Sequence, residues 1–412
     1  MKTFQNLEEI GQKVKEIENR VEHLDHFNHS DITRNNFMLQ GGLAKQGYDW
    51  WWHSFTAHHS ITGEEKAFFV EFFTINPELG GKEPVFGQLP ENKEKGICPS
   101  YMMVKVGTWG ENPKQLNRFF AWDDVTVKQD APYLISADNC FCSETRTIGM
   151  VDITEEEAKA HPEYMSDAGR MYWDLTMDKN ITFNVGYGAG KPLRDAEAFE
   201  MFWHCEGMRT AFEGKVVLDG EEYLVDKATS YGYADKNWGK DFTSPWVWLA
   251  SSHLTSKVTG EALKDSAFVI GGRRPKVGPL ALENKLLSAM WYEGTAYEFN
   301  FSKFWTLTKT KFKTKETKDE LIWRVIQETP MSKMCTEIKC KKKDMLLINY
   351  EAPDGSKRHN HLWNGGNGKG TVKLYKKSLN IKNEKSKSKW GWELVDEILC
   401  ENVGCEYGEY QD

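Results

Sequence analysis

The sequence predicts a nearly all-β protein of two antiparallel domains, preceded by one amphipathic helix. Three observations support this prediction. The chain has 412 residues, which is too many for one ordinary core and suits two domains of roughly 200 residues each. After residue 36, short stretches with apolar residues at every second position fill most of the chain, as strands do. Two-residue turns that end in glycine recur between these stretches, as tight hairpins require.

The first segment, residues 1–35, is predicted to contain a helix over residues 4–24. Its apolar positions follow one another in steps of three and four: Leu7, Ile10, Val14, Ile17, Val21 and Leu24. This spacing gives a single apolar stripe. The stripe packs either on the protein's own sheets or against a second copy of the chain, so a homodimer through this helix is one of two expectations.

The remaining chain is predicted to divide into a first β domain over 36–208 and a second over 209–412. We predict hairpins at four turns: Thr62-Gly63, Asp219-Gly220, Thr259-Gly260 and Asp354-Gly355. Glycine is favoured there because tight hairpins need a positive φ. Short helices are expected only over 154–161 and 192–201.

Composition and charge exclude several functional classes. The net charge of -8 argues against a nucleic-acid partner. The segment before residue 28 does not resemble a signal peptide, and no window approaches 18 apolar residues, so we expect a cytoplasmic protein without a membrane span. Its eight cysteines are then expected to be reduced thiols. No cluster of Cys and His has convincing metal-ligand spacing, so no metal site is predicted.

The densest motif lies in residues 211–254. Its core is Gly232–Gly239, with the sequence GYADKNWG. The motif continues through further aromatic and polar positions: Phe242, Trp246, Trp248, Ser252 and His253. This pattern resembles the signature of the tocopherol cyclase and carotenoid hydratase family, with Asp235 where that family more often has Glu. Weaker similarity extends to Trp50–Trp52 with residues 67–77, and to Met201–Met208.

The resemblance implies two lipocalin-like β-barrel or sandwich domains that enclose a site for a lipophilic small molecule, with no cofactor. The family holds cyclases, hydratases and members of unknown substrate, so the fold does not fix the function.

Four residues are predicted to carry chemistry. Glu71 lies between Phe69 and Phe73 on one face of a strand that is apolar on both faces. Loss of hydration there raises the pKa of a carboxyl, unless a basic group pairs with it. His204 and Glu206 point the same way on a strand, as an acid–base pair or an ordinary polar pair. Asp235 is either a proton donor that faces the ligand site or, together with Lys236, a structural residue that helps to join the two domains by an ion pair.

A second group of residues is expected to bind the ligand. Its members are mostly aromatic: Trp50, Trp52, His53, Tyr231, Tyr233, Trp238, Trp246, Trp248 and His253. Aromatic faces suit a flat or polyene ligand and can stabilise a developing carbocation, although aromatic stripes are also common in ordinary cores. We therefore expect an enzyme that cyclises, opens, hydrates or isomerises an apolar molecule such as a prenyl quinol, polyene or polyphenol. The alternatives are a carrier without turnover and an assembly protein that uses the lysine-rich last third of the chain.

Overall fold

The computed structural model describes residues 31–183, 199–242, 244–274, 276–277, 280–281, 285–303, 306–379 and 390–410. The predicted N-terminal helix, and most of the helix predicted over 192–201, lie outside these residues. Within the described ranges there are two short α-helices, α1 (Pro90–Glu94) and α2 (Glu155–Ala160). The Thr154 hydroxyl caps α2 by accepting the Glu157 N–H at 3.1 Å, as an N-cap residue does. None of these helices has the length and apolar character that crossing a membrane requires.

A first sheet is built by the strands β1 to β12. Their bounds are β1 (Tyr48–His59), β2 (Glu65–Ile75), β3 (Tyr101–Thr108), β4 (Lys114–Phe120), β5 (Val125–Lys128), β6 (Leu134–Ala137), β7 (Cys140–Ser143), β8 (Arg146–Ile153), β9 (Gly169–Phe183), β10 (Met201–Leu218), β11 (Glu221–Val225) and β12 (Gly232–Gly239). The order across the sheet is β4-β3-β2-β1-β11-β10-β9-β8-β7-β6-β5, and β12 pairs with both β1 and β10. The sheet curls so that its edge strand β4 comes close to β8. Arg118 of β4 contacts the Asp152 carbonyl of β8 and the Glu157 carboxylate of α2.

A second sheet follows. Its strands are β13 (Trp246–Ser251), β14 (His253–Ser256), β15 (Ser266–Arg273), β18 (Lys285–Tyr292), β19 (Thr295–Asn300), β20 (Lys309–Glu316), β21 (Glu320–Glu328), β22 (Ser332–Lys341), β23 (Leu346–Glu351), β24 (Arg358–Leu379) and β25 (Trp390–Glu409), while β16 (Lys276–Val277) and β17 (Leu280–Ala281) form a separate ribbon. The order is β19-β18-β15-β13-β25-β24-β22-β21-β20, with β14 on β25 and β23 on β24. The strand pairs in both sheets are antiparallel. The predicted all-β fold class is therefore confirmed.

Glycine lies at a positive φ in each of the four predicted turns. The values are +72° for Gly63, +94° for Gly220, +78° for Gly260 and +71° for Gly355. The division between the sheets lies between Gly239 and Trp246. Residues 208 and 209, the predicted domain boundary, lie inside β10, which continues through both positions in the first sheet.

Three apolar clusters hold the fold together. One fills the inner face of the first sheet, one fills the second sheet, and the third contains residues of both sheets. We call the third the inter-sheet cluster. In β1, Trp51 and Phe55 belong to the first cluster, whereas Tyr48 and Trp52 belong to the inter-sheet cluster. Because side chains alternate along a strand, the central strands of the first sheet are buried on both faces.

Candidate active site

A row of directly paired residues crosses the first sheet on the side of the inter-sheet cluster. Lys105 of β3 pairs with Glu71 of β2, Glu71 with Trp52 of β1, and Trp52 with Asp235 of β12. Directly paired residues of neighbouring strands point to the same side of a sheet. The row therefore places two acids, one base and one indole on the surface that faces the second sheet.

Asp235 is buried with an exposed fraction of 7%. Its Oδ2 accepts two hydrogen bonds, one from Trp203 Nε1 and one from the Tyr233 hydroxyl, both at 2.8 Å. Its Oδ1 is buried and has no hydrogen-bond partner among the described residues. Burial raises the pKa of Asp235 to about 8, against the lowering effect of these two hydrogen bonds. At neutral pH this carboxyl is therefore mostly protonated and has one oxygen available.

Two further indoles, Trp52 and Trp248, pack together with the Tyr233 phenol beside Asp235. The rings of Trp52 and Trp248 meet edge to face at 6.5 Å, and Tyr233 lies 5.0 Å from Trp248. The Nε1 atoms of Trp52 and Trp248 are buried without a hydrogen-bond partner in the described part of the chain. Buried polar atoms are normally paired, so unpaired ones need an explanation. Two donors and one acid oxygen in this small region are what a ligand with polar groups would satisfy.

The second sheet contributes a further acid, Glu406 of β25. Trp246 Nε1 donates to its Oε2 at 3.0 Å, and the Asn364 amide donates to its Oε1. Burial raises the pKa of Glu406 to about 7, and the nearby charge of Glu71 contributes in the same direction. The negative charge of Glu406 in turn adds to the rise in the pKa of Asp235.

Glu406 was not anticipated from the sequence. It lies in the segment Gly404–Gly408, where the sequence shows only a single acidic residue within a strand. That signal does not distinguish a buried carboxyl from a solvated one.

Glu71 lies in the inter-sheet cluster but is engaged by two partners. The Tyr350 hydroxyl donates to both carboxylate oxygens, at 2.8 and 2.9 Å, and Lys105 Nζ lies 3.5 Å from Oε2. Burial raises the pKa of Glu71, while Lys105 and Tyr350 oppose that rise. The sequence left open whether this acid is unpaired or held by a basic group, and the structure places Lys105 beside it.

His204 and Glu206 lie on the opposite side of the first sheet. His204 pairs with Lys236, the neighbour of Asp235, so its side chain points away from the Asp235 face. His204 Nδ1 lies 2.7 Å from Asn35 Oδ1, and burial holds the pKa of His204 well below its usual value.

Glu206 contacts Lys179, and burial raises the pKa of Glu206 to about 7. The structure does not bring His204 and Glu206 to the Asp235 site. His204 shares a face with Lys236, and Lys236 and Asp235, as neighbours on β12, point to opposite sides of the sheet.

His53 and Trp238 also face the interior of the first sheet. Trp238 stacks on Phe202 at 5.6 Å, and His53 meets Phe212 edge to face at 6.2 Å. Burial lowers the pKa of His53 to about 3. On the same face Lys236 forms a fully buried ion pair with Asp49. The lysine of the motif is therefore paired inside the first sheet, whereas Asp235 lies on the opposite face.

The other expected ligand-binding residues divide between two places. Trp50 and Trp246 belong to the inter-sheet cluster, where Trp50 stacks on Tyr350 at 5.5 Å. Tyr231 and His253 stack on each other at 3.7 Å, and both are partly exposed. Neither is among the residues of the inter-sheet cluster.

Metal-ligating side chains do not gather in this region. In the ranges that the structure describes, no three His, Cys, Asp or Glu side chains come together in a way that could hold an ion. All eight cysteines are free thiols.

Comparisons with known proteins were made by sequence and by structure. No protein-family model matches the chain, and no curated protein matches it significantly. Among solved structures, it is similar to an AttH-type protein from Nitrosomonas europaea, with 10% identity, a TM-score of 0.44, and 92% of this chain and 96% of that chain covered.

Two further structures are similar. Kievitone hydratase from Nectria haematococca has 11% identity, a TM-score of 0.42, and coverage of 93% and 96%. CghA with Sch210972 has 11% identity, a TM-score of 0.42, and coverage of 89% of both chains.

Proposed function

We propose that this protein is an enzyme that protonates an apolar small molecule in the inter-sheet cluster, with Asp235 as the proton donor. One observation carries the proposal. Asp235 is a buried carboxyl whose pKa is raised to about 8, and its Oδ1 has no partner among the described residues. A general acid must hold a proton at working pH and have an oxygen that can reach the substrate.

The reaction class follows from the groups around that proton. Transfer from Oδ1 to a carbon of a double bond forms a C–H bond and leaves a cationic centre, which the faces of Trp52 and Trp248 can stabilise. Addition of water at that centre gives hydration, attack by a hydroxyl of the substrate gives ring closure, and loss of a neighbouring proton gives isomerisation. The reverse of ring closure is ring opening.

Glu406 is proposed to accept the proton released in the last step. With a pKa raised to about 7, a substantial fraction of this carboxyl is ionised near neutral pH. The proton would then return to Asp235 for the next cycle. These steps use proton transfer and the addition of water or of a substrate hydroxyl, and they invoke no cofactor. The substrate classes that fit are prenyl quinols, polyenes and polyphenols, in line with the family resemblance of residues 211–254.

A carrier without turnover is the second candidate. It is favoured by the density of aromatic rings in the inter-sheet cluster. Five rings contact one another there, stacked or tilted, with centroids 4.1 to 6.5 Å apart: Tyr48, Trp50, Phe73, Phe242 and Tyr350. Such surfaces bind flat apolar molecules whether or not an acid acts on them.

The test begins with native mass spectrometry of the purified protein, to identify a co-purified apolar molecule. That molecule and its unsaturated relatives are then incubated with the protein in D₂O. Protonation by Asp235 predicts one deuterium bound to carbon in the product. Asp235→Asn should keep ligand binding and lose turnover by roughly 10²–10⁴-fold, the usual share of general acid–base catalysis.

The matched variants are Glu71→Gln and Glu206→Gln, which amidate the other two predicted acids, and Asp130→Asn, which alters an exposed acid. All three should retain turnover. Wild-type rates in Asp235→Asn would exclude this donor. Loss of turnover in Glu71→Gln or Glu206→Gln instead, in a variant whose melting temperature shows that it is folded, would transfer the role to that residue. A bound molecule that is never converted and never takes up deuterium would support the carrier.

A further inference from the structure

A patch on the outer face of the second sheet combines basic and apolar side chains. A row of directly paired residues, one from each of β20, β21, β22, β24 and β25, crosses the sheet there: Lys309, Glu328, Lys333, Tyr375 and Leu394. Directly paired residues point to the same side of a sheet. Met334 and Leu374, which neighbour members of this row in the chain, belong to the cluster that fills the second sheet. The row therefore faces outward, because side chains alternate along a strand.

Three large apolar side chains are exposed on this patch. The exposed fraction is 38% for Ile326, 43% for Leu394 and 61% for Met331, which lies in the turn between β21 and β22. The half-buried Trp392 lies beside them, directly paired with Lys377 of β24. The Lys377 N–H donates to the Met331 carbonyl at 2.8 Å, so the turn adjoins this pair. Exposed apolar side chains that gather in one place indicate an interaction surface.

The sheet itself does not account for all the lysines of the patch. β20 is an edge strand, where lysines block pairing with further strands, and this explains Lys309 and Lys311. Lys333 and Lys377 lie on β22 and β24, which are flanked by other strands on both sides. Their ammonium groups lie 6.0 and 4.3 Å from the centroid of the Trp392 ring. The indole thus holds two positive charges beside the exposed apolar side chains.

The patch carries more positive than negative charge. Its four lysines share it with one acid among the described residues, Glu328. Two acids at its margin are paired with other lysines, Glu393 with Lys376 at 3.7 Å and Glu397 with Lys373 at 3.2 Å. The patch therefore attracts an anionic partner, and its exposed apolar side chains favour a partner that is also apolar.

A bilayer surface that contains anionic lipid offers both features together. Its phosphate and carboxylate groups lie directly above the acyl chains, so lysines can bind headgroups while apolar side chains enter the boundary below them. A duplex nucleic acid presents phosphates without apolar groups between them, and it would leave the exposed side chains of Ile326, Met331 and Leu394 unused.

We propose that this patch docks the protein on a membrane surface that contains anionic lipid. Lys309, Lys311, Lys333 and Lys377 contact the headgroups, and Met331, Trp392 and Leu394 enter the boundary between headgroups and acyl chains. The patch lies on the outer face of the second sheet, so its role is independent of the function proposed for Asp235.

The experiment measures binding of the full chain to large unilamellar vesicles by co-sedimentation. Vesicles of phosphatidylcholine alone are compared with vesicles in which roughly one-third of the lipid is phosphatidylserine. Each lysine near an anionic surface contributes about fivefold in affinity, so the anionic vesicles should bind at least about tenfold more tightly. Raising the salt from about 0.05 M to about 0.3 M should weaken this binding, because the charges are screened.

Charge variants locate the surface, each checked by its melting temperature to be folded. Lys333→Glu combined with Lys377→Glu should weaken binding to anionic vesicles by at least about tenfold, and the uncharged pair Lys333→Gln with Lys377→Gln should give a smaller loss. Lys95→Glu combined with Lys128→Glu is the matched control. It makes the same change in net charge at exposed positions away from the patch and should change binding little.

A second pair of variants tests the apolar contribution. Leu394→Ser should weaken binding to anionic vesicles by about threefold or more while keeping its salt dependence, because only apolar contact is lost. Leu224→Ser, at a leucine of β11 that is 50% exposed, is the matched control and should leave binding unchanged.

Four results would overturn the proposal: equal binding to both kinds of vesicle, binding that does not respond to salt, equal losses in the two charge-reversal pairs, and no vesicle binding at all. In the last case, anisotropy with a labelled oligo-dT and sedimentation velocity identify the partner instead. Oligonucleotide binding that is lost in Lys333→Glu with Lys377→Glu would indicate a nucleic acid. Self-association lost in the same variant would indicate a second copy of the chain.

Discussion

Replacing Asp235 by asparagine should stabilise the protein at neutral pH while removing its proposed activity. The side-chain oxygen of the asparagine can still accept the hydrogen bonds that Trp203 and Tyr233 make to Oδ2. The substitution therefore keeps the shape and the known contacts of the site, removes the ability to ionise, and places an amide nitrogen where Oδ1 stands.

The magnitude follows from proton linkage. In the unfolded chain the carboxyl titrates with a pKa near 3.8, and in the folded protein burial raises the pKa of Asp235 to about 8. Between these values the unfolded chain has lost a proton that the folded protein still holds. Stability therefore falls as the pH rises through this window, by about 1.4 kcal/mol per pH unit. At pH 7 the accumulated loss is on the order of 4 kcal/mol, and asparagine does not suffer it.

The assay is urea unfolding of both proteins at pH 5, 6, 7 and 8. The difference in the free energy of unfolding should widen with pH in favour of Asp235→Asn and level off above pH 8. Groups common to both proteins cancel in this difference. Asp130→Asn, at an exposed position, should show no such trend. A difference independent of pH, or a variant less stable than the wild type at pH 7, would show that the folded protein does not raise the pKa of Asp235.

Two further predictions concern the interior of the first sheet. Lys236→Met should destabilise the protein by about 3–5 kcal/mol at pH 7, because it leaves Asp49 buried without its partner; in urea unfolding, adding Asp49→Asn should recover most of that loss, and no recovery would mean that the lysine acts through packing. Trp238→Ala should cost roughly 3–5 kcal/mol, the usual cost of removing a large buried ring, since Trp238 is 4% exposed; an unchanged thermal midpoint would contradict this.

The structure places the two neighbouring charged residues of the motif, Asp235 and Lys236, on opposite faces of the first sheet. The sequence offered either a proton donor at Asp235 or a structural role for both residues, in an ion pair that joins the two domains. In the structure Lys236 does form an ion pair, but with Asp49. Asp235 faces the other way. Side chains of neighbouring residues on an extended chain point to opposite faces. The pairing of β12 with β1 determines which face Asp235 occupies and which face Lys236 occupies.

The fold class, the four glycine turns and the burial of the strand around Glu71 could be predicted from the residue pattern alone. These are local properties, because side-chain alternation and the positive φ of a tight turn involve only residues close together along the chain. The helix α2 was predictable for the same reason.

Which candidates lie close together depends on long-range strand pairing and could not be predicted from the sequence. It separated His204 and Glu206 from Asp235, placed Lys105 beside Glu71, and brought Glu406 from the second sheet toward Asp235. Each of these relations depends on the register of strands that are distant in the chain. A one-residue shift in register would send every side chain of a strand to the opposite face. Register is set by the summed packing of both faces, which no local pattern contains.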